Sequence, residues 1–116
     1  MNPNSPGYLQ NVRQIVLSLP GVEEYTCFRT PAFRVKKKLL ARLKEDGETI
    51  AVHSDDRDIW MKTDTAAFFV TDHYRNYPMV LVSLPVVKHH DLQNVLLEAW
   101  KQIAPKRLLI EFERNQ

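Results

Sequence analysis

The fold is decided by a strand–turn–strand segment at residues 38–53, KLLARLKEDGETIAVH. Its two halves alternate apolar and polar side chains, which is the period of a half-buried strand. Between them, Asp46 and Gly47 predict a two-residue type I′ turn, because both residue types tolerate positive φ. The segment therefore predicts an antiparallel hairpin with one face on a core. The residues predicted to face that core are Leu39, Ala41, Leu43, Ile50 and Val52.

Further strands flank this hairpin on both sides. Two short extended segments precede it, and Pro31 marks a bend or an edge position between them. A second strand pair follows it, joined by the loop DHYRNY at residues 72–77. The sheet is therefore predicted to be antiparallel. The additional strand segments are predicted around Tyr25 and Cys27 and at residues 33–35, 67–71 and 79–84.

Segments with helical periodicity precede and follow the strands. Ser5 as N-cap and Pro6 at the first helical position close an N-terminal tail of residues 1–7 and begin a helix, which Pro20 stops. Acidic residues after His53 open a short helix that runs to about Lys62. A three-turn amphipathic helix and a last short helix, separated by a proline, end the chain. This order predicts an α+β domain, an antiparallel sheet packed by helices, spanning residues 1–116. The apolar helix positions are Val12, Ile15, Val16, Leu19, Leu92, Val95, Leu96, Ala99, Trp100, Ile103, Leu108, Leu109 and Phe112.

Composition is that of an ordinary globular protein, with 44% apolar and 26% charged residues in 116. No apolar run is long enough to cross a bilayer, and the first seven residues lack the features of a secretory signal. Cys27 is the single cysteine, so no intramolecular disulfide can form, which suits a reducing compartment. We expect a cytoplasmic protein.

Residue types that act as catalysts or metal ligands in other proteins are explained here by structural roles. Cys27 lies in a predicted strand with no base or helix N-terminus beside it, which favours a buried apolar role. The four histidines lack the short spacings of a metal site, and the acidic residues at 55–58 lack the pattern of a calcium loop. With three glycines, the chain has no phosphate-binding loop. We expect no catalytic centre, metal site or cofactor, and therefore no enzyme.

Charge is distributed unevenly along the chain, although the net charge is only +2. Residues 29–44 carry seven Lys or Arg and no acid, whereas residues 45–58 carry six acids and one arginine. Such alternation separates two ends of a domain by sign. A local positive patch is therefore predicted near the lysine turn at residues 36–38.

Strand parity relates this turn to the loop at residues 72–77. Counting strand directions from the turn through the hairpin and the short helix returns the chain to the same end of the sheet. We therefore expect lysine and arginine for phosphates, with tyrosines to stack on bases or sugars. The alternative is a pair of ordinary solvated hairpins whose lysines protect strand edges. The predicted contacts are Arg34, Lys36, Lys37, Lys38, Arg42, Tyr74, Arg75 and Tyr77.

Three segments resemble the MmcQ/YjbR family of small bacterial proteins: LPGVEE at residues 19–24, TPAFR at 30–34 and NYPMVLVSL at 76–84. The strand–turn–strand after Lys38 and the helix around residues 96–100 fit the same pattern, so the resemblance covers about residues 8–113. It implies an α+β fold related to the CyaY-like and secretion-chaperone-like sandwiches. Members are described as DNA-binding proteins with a double wing of paired hairpins.

The chain departs from that family at residues 36–38, where three lysines stand in place of a glycine-containing turn. The extra charge favours phosphate contact, and the acidic tip at residues 45–48 is excluded as a DNA-facing end. The leading hypothesis is therefore a non-enzymatic nucleic-acid-binding module for DNA, with duplex expected. Two alternatives stay open: a protein-interaction or chaperone-like module without a nucleic-acid role, and an enzyme using His73 or His53 with Tyr74.

Overall fold

The computed structural model describes residues 5–115, which form an α+β domain with one six-stranded antiparallel sheet and four α-helices. The sheet order is β1-β2-β3-β4-β6-β5. The predicted fold class is confirmed. The strands are β1 Val22–Cys27, β2 Thr30–Val35, β3 Lys38–Leu43, β4 Thr49–His53, β5 Phe68–Phe69 and β6 Met79–Ser83. The helices are α1 Ser5–Val16, α2 Arg57–Thr63, α3 His89–Ile103 and α4 Lys106–Arg114, with a 3-10 turn at Asp72–Tyr74.

The helices pack on one face of the sheet and enclose the main core there. Trp100 of α3 is fully buried, and its indole N–H donates a 2.9 Å hydrogen bond to the carbonyl of Pro20. Phe112 of α4 lies against that indole, with ring centroids 5.1 Å apart. The amphipathic positions of both C-terminal helices thus supply the core, as their sequence periodicity predicts.

The opposite face of the sheet has no helix over it in the described chain. Its smaller apolar cluster contains Ala51, Met79 and Leu81, and the side chains packed on that cluster come from strands and from the loop after β5. We call this the open face. On this face, ligand-sized hollows are lined by aromatic and basic residues.

A β-bulge in β3 changes which side chains of the predicted hairpin lie on each face of the sheet. Phe33 pairs with Ala41 but Arg34 pairs with Leu39, so Leu40 is the extra residue between them. Leu40 and Ala41 both enter the main core. The prediction that Leu39 shares a face with Ala41 is wrong, because the bulge shifts the alternation and places Leu39 on the open face.

The β3–β4 connection is also longer than predicted. Lys44 pairs with Thr49, so four residues form the loop, and only Gly47 adopts positive φ, at 70°. The carboxylate of Asp46 accepts hydrogen bonds from the N–H groups of Glu48 and Thr49 and from the Thr49 hydroxyl. These bonds stabilise the wider loop, which is why the two-residue type I′ turn does not form.

Three element boundaries differ from the sequence prediction. The strand expected at residues 67–71 is reduced to Phe68–Phe69, because the 3-10 turn follows almost at once. Helix α1 begins at Ser5, so residues 5–7 belong to the helix rather than to an N-terminal tail. The rest of that predicted tail, residues 1–4, lies outside the described residues. Across residues 5–115, the structure contains no helix with the length and apolarity that crossing a membrane requires.

Candidate nucleic-acid interface

Strand register places the lysine turn and the loop before β6 at the same end of the sheet. Lys38 begins β3, and β4 ends at His53, whose Cα partner is Met79 at the start of β6. The strand-parity prediction is therefore confirmed. The two segments are not adjacent, however, because β4 lies between β3 and β6 and strands are spaced about 4.8 Å apart.

The β2–β3 turn presents three lysines to solvent. Val35 pairs with Lys38, so Lys36 and Lys37 form a two-residue turn. Within residues 5–115, none of these lysine amines has a hydrogen bond or a carboxylate within ion-pair distance. The lysines and Arg34 line a shallow hollow of about 790 Å³ together with Glu23. We call Arg34 and residues 36–38 the lysine surface.

Arg34 is the one member of this surface with a local carboxylate partner. Its Nε donates a 2.6 Å hydrogen bond to Glu23 on β1, and its guanidinium carbon lies 4.3 Å from the ring centroid of Tyr25. Both arginine and glutamate are more than a third exposed, so solvent weakens this ion pair.

The loop at residues 72–77 folds back over the open face instead of projecting from the end of the sheet. The side chain of Arg57 on α2 holds the backbone of this loop there. Its guanidinium donates hydrogen bonds to four backbone carbonyls at distances of 2.6–3.2 Å. The accepting residues are Tyr74, Arg75, Tyr77 and Met79. No local pattern marks this role, because the partners are 17–22 residues away along the chain.

Arg75 is therefore separated from the lysine surface. Its Nη2 lies 2.6 Å from a carboxylate oxygen of Asp72, and it lines a different hollow that contains three aspartates. Since that hollow carries more acids than bases among its lining residues, Arg75 does not extend the positive patch. The two loops therefore do not form the single basic surface that the sequence predicts.

Arg42 is buried, with 7% of its surface exposed. Its Nε donates to the carbonyl of Cys27 and its Nη2 to Glu45, at 3.1 and 2.6 Å. Burial opposes the charged form, but the hydrogen bonds and charges of Glu45 and Tyr74 together outweigh it and raise the pKa of Arg42 above its ordinary value. The predicted contact between Arg42 and phosphate is at odds with this burial, and we assign it a supporting role.

Tyr74 packs on the open face, and Tyr77 is 56% exposed beside it. The amine of Lys44 donates a 3.0 Å hydrogen bond to the Tyr74 hydroxyl and lies 5.0 Å from its ring centroid. The ring of His73 approaches Tyr74 edge-on, with centroids 4.8 Å apart. The two predicted tyrosines thus belong to one aromatic group over the sheet.

These aromatic residues form one wall of a second hollow, of about 510 Å³, on the open face. Phe28, whose ring is 81% exposed, stands on the other wall, and Leu39 and Met79 contribute to the lining. We call this the aromatic hollow. It meets the lysine surface at one residue pair, because Arg34 and Leu39 are direct partners across β2 and β3. Sequence reasoning missed Phe28, because its only signal is an apolar residue in a hairpin turn.

Of the residues considered for catalysis, Cys27, His73 and Tyr74 line the aromatic hollow, and His53 is not among its lining residues. Cys27 is half-buried at the end of β1, not buried in mid-strand as predicted, and it lines the aromatic hollow. The Nε2 atom of His53 lies 3.4 Å from Asp55. Among residues 5–115, no three His, Cys, Asp or Glu side chains come together closely enough to hold a metal ion.

Comparison with known proteins places this geometry in a family. The YjbR family model matches residues 17–102. Uncharacterized protein Rv2570 of Mycobacterium tuberculosis and uncharacterized protein Mb2600 of Mycobacterium bovis are each 32% identical over 74 residues, covering 64% of this chain and 51% of theirs. The chain thus spans about half the length of the curated relatives it matches.

A solved structure has the same fold. Deinococcus radiodurans protein DR2400, with a domain described as DUF419, superposes with a TM-score of 0.71 at 18% sequence identity. The match covers 84% of this chain and 79% of that one. At this level of identity the likeness concerns the architecture of sheet and helices.

Proposed function

Since the chain belongs to the YjbR family, we propose that it is a non-enzymatic nucleic-acid-binding module, with DNA as the expected ligand. Family membership supplies the fold, and the function has to be argued from the site. The lysine surface is the proposed phosphate contact. Arg34, Lys36, Lys37 and Lys38 bind backbone oxygens in this proposal, and Tyr74 and Tyr77 lie beside the strand.

The observation that carries the proposal is the lack of internal partners for three adjacent lysines. Lys36, Lys37 and Lys38 have no carboxylate within ion-pair distance in the described chain, while four of the eight arginines have one. Unpaired cations held on one rigid turn attract a polyanion, because each phosphate contact releases condensed counterions. A two-residue turn between paired strands keeps the three amines within one small area.

The protein-interaction alternative is less well supported by the position of the apolar surface. That function calls for an apolar patch away from the lysines. Phe28 and Tyr77, two of the most exposed large apolar residues, instead line the hollow that adjoins the lysine surface. An apolar and a basic surface in contact suit a ligand that carries rings and negative charge together.

The experiment is a salt series of binding to a labelled oligonucleotide, followed by fluorescence anisotropy. With four cations on phosphates, the slope of log K against log salt is expected to be roughly −3.6 for duplex and −2.8 for a single strand. Replacing all three lysines by glutamine removes three contacts. The slope should then fall to roughly −0.9 or −0.7, with a large loss of affinity at low salt.

The matched control carries the same change of charge on the helical side of the sheet. Lys88, Lys101 and Lys106 are exposed there, and their triple glutamine variant lowers the net charge equally. It should keep the slope of the unmodified protein. Equal losses in the two triple variants would show attraction by net charge alone, and absence of binding to either nucleic acid at low salt would reject the proposed function.

A further inference from the structure

One wall of the aromatic hollow is formed by Phe28. The conformation and exposure of this residue are not explained by a contribution to the stability of the fold. Phe28 and Arg29 form the β1–β2 turn with φ values of 50° and 70°, a left-handed conformation that a bulky side chain rarely adopts. Asn and Gly are the residues preferred in such a turn. Phe28 buries little, since its ring is 81% exposed. A strained turn that displays a large apolar ring to solvent points to a binding role for that ring.

The ring of Phe28 lies against a cation. The guanidinium carbon of Arg42 lies 5.3 Å from the ring centroid, as a cation beside an aromatic face. Arg42 is itself fixed by the carbonyl of Cys27 and the carboxylate of Glu45. A cation buried beneath the ring leaves its outer face available for stacking by a second flat group.

The opposite wall is aromatic and is held in place independently. Tyr77 is 56% exposed, and its ring lies 6.4 Å from Tyr74 and 6.1 Å from His73, centroid to centroid. Arg57 fixes the backbone of both tyrosines through their carbonyls. The hollow between these walls, about 510 Å³, falls in the size range of sites that hold flat organic groups.

The charged residues that line the aromatic hollow favour some flat ligand groups over others. The lining residues include Arg42 and Lys44 against a single carboxylate, that of Glu45, within the described chain. Leu39 of this lining is the cross-strand partner of Arg34, which belongs to the lysine surface. A ligand that fits both regions has a flat ring with acceptor atoms on its edge and an anionic backbone beside it. A nucleotide strand has that chemistry, whereas an apolar peptide anchor does not explain the adjoining cations.

We infer that the aromatic hollow holds an unpaired nucleobase stacked on Phe28, so that the ligand of the lysine surface is a single strand rather than a duplex. Bases in a duplex are stacked on each other and present only their edges, so they cannot enter a hollow with aromatic walls. For a polymer ligand, this inference rests on the proposed function. It adds the residue that reads the base and the strandedness of the nucleic acid.

The test compares three ligands of about ten nucleotides. They are a single-stranded oligothymidine, the same sugar–phosphate backbone with abasic sites, and a blunt duplex. The unmodified protein should bind the single strand about tenfold more tightly than the abasic backbone, as expected for one stacked base. Phe28→Ala should reduce that ratio to about one and leave affinity for the abasic strand unchanged.

Two control variants make the failures distinguishable. Ile110→Ala truncates an apolar residue that is 43% exposed on α4, and it should keep the tenfold ratio. The triple lysine variant should weaken all three ligands together. A ratio unaffected by Phe28→Ala, or equal binding of duplex and single strand, would overturn the stacked base while the phosphate contacts survive.

An NMR titration supplies the last readout. Thymidine monophosphate should shift backbone amide signals at residues 27–29, 73–77 and 79 in the unmodified protein and not in Phe28→Ala. Shifts caused by an aromatic dipeptide but not by the nucleotide would make the hollow a protein-docking site and end the inference. Loss of all three polymer ligands, in contrast, would end the proposed function and this inference with it.

Discussion

The guanidinium of Arg57 donates a 2.6 Å hydrogen bond to the backbone carbonyl of Arg75, so one arginine sets the position of the other. The same group reaches the carbonyls of Tyr74, Tyr77 and Met79. Three acceptors from the loop and one from the start of β6 thus converge on one side chain of a different element. The wall of the aromatic hollow depends on this convergence, since Tyr74 and Tyr77 both stand on the loop.

Arg57→Met should destabilise the domain by roughly 2–3 kcal/mol, because it removes charge-assisted hydrogen bonds and leaves several carbonyls without their donor. Methionine keeps a similar length and apolar stem. Chemical denaturation measures the loss of unfolding free energy. Hydrogen exchange should in addition show faster exchange of the amides of Tyr77 and Met79, which donate hydrogen bonds to the carbonyls of Tyr74 and Tyr77.

Arg75→Met is the matched control for that experiment. Arg75 is 70% exposed along its side chain and pairs only with the still more exposed Asp72 in the described chain. Exposed pairs of this kind contribute little, so we expect a change within about 0.5 kcal/mol. If both variants lose the same stability, the loop is not organised by Arg57 in the way described.

Lys36→Gly should stabilise the domain by about 1 kcal/mol, because Lys36 has a φ of 59° and only glycine adopts that region without strain. The same substitution should weaken nucleic-acid binding, since it removes one amine of the lysine surface. Thermal unfolding and the anisotropy titration measure the two effects. Opposite signs for stability and binding are the expected result at this position.

Lys37→Gly provides the comparison at the neighbouring position. Lys37 is not among the described residues with positive φ, so glycine relieves no strain there and adds freedom to the unfolded chain. We expect stability to fall slightly, while binding falls as it does for Lys36→Gly. Stabilisation by both glycines would mean that backbone strain in the turn is not localised at Lys36.

Local patterns in the sequence predict most of this architecture. The alternation at residues 38–53 predicts the central hairpin, and the spacing of apolar residues predicts α3 with its buried positions, from Leu92 to Ile103. Strand parity also predicts that the lysine turn and the loop after β5 share one end of the sheet. Each of these inferences depends only on neighbours in the chain and on the periods of helix and strand.

Long-range contacts limit what the sequence reveals about the site. The bulge at Leu40 moves Leu39 to the open face, and no residue nearby marks it. Arg57 occurs in an acidic stretch, where its charge predicts a solvated helix terminus and not four hydrogen bonds to a distant loop. Arg42 has the composition of a phosphate contact, yet burial under Phe28 removes it from solvent. Such roles are decided by tertiary packing.

Asp46→Ala should destabilise the domain by about 1 kcal/mol at neutral pH, a modest value because the carboxylate is exposed. Partial burial alone would raise the pKa of Asp46, but hydrogen bonds from Glu48 and Thr49 outweigh it and hold the pKa below its ordinary value. A lowered folded-state pKa means that the ionised carboxylate stabilises the fold at pH values above about 3.9, its value in the unfolded chain.

The stabilising effect of Asp46 should therefore disappear as the pH falls through its folded-state pKa. Urea denaturation between neutral pH and pH of about 2 measures this, as the difference in unfolding free energy between the unmodified protein and Asp46→Ala. That difference should shrink toward zero in acid. Asp72→Ala removes an exposed carboxylate that pairs, within residues 5–115, only with Arg75, and it should show little difference at any pH. A pH-independent difference for Asp46→Ala would exclude its hydrogen-bonded charge as the cause.

Lys38 and Arg42 should differ in the salt dependence of binding, although both belong to β3. Lys38 is exposed, so Lys38→Gln should lower the magnitude of the log K–log salt slope by about 0.7–0.9, the value for one phosphate contact. Arg42→Gln should leave the slope unchanged, because its guanidinium is occupied by Cys27 and Glu45. It should instead lower the unfolding free energy by roughly 1–3 kcal/mol through lost buried hydrogen bonds. An equal change of slope in both variants would mean that Arg42 leaves its buried position to contact phosphate when nucleic acid binds.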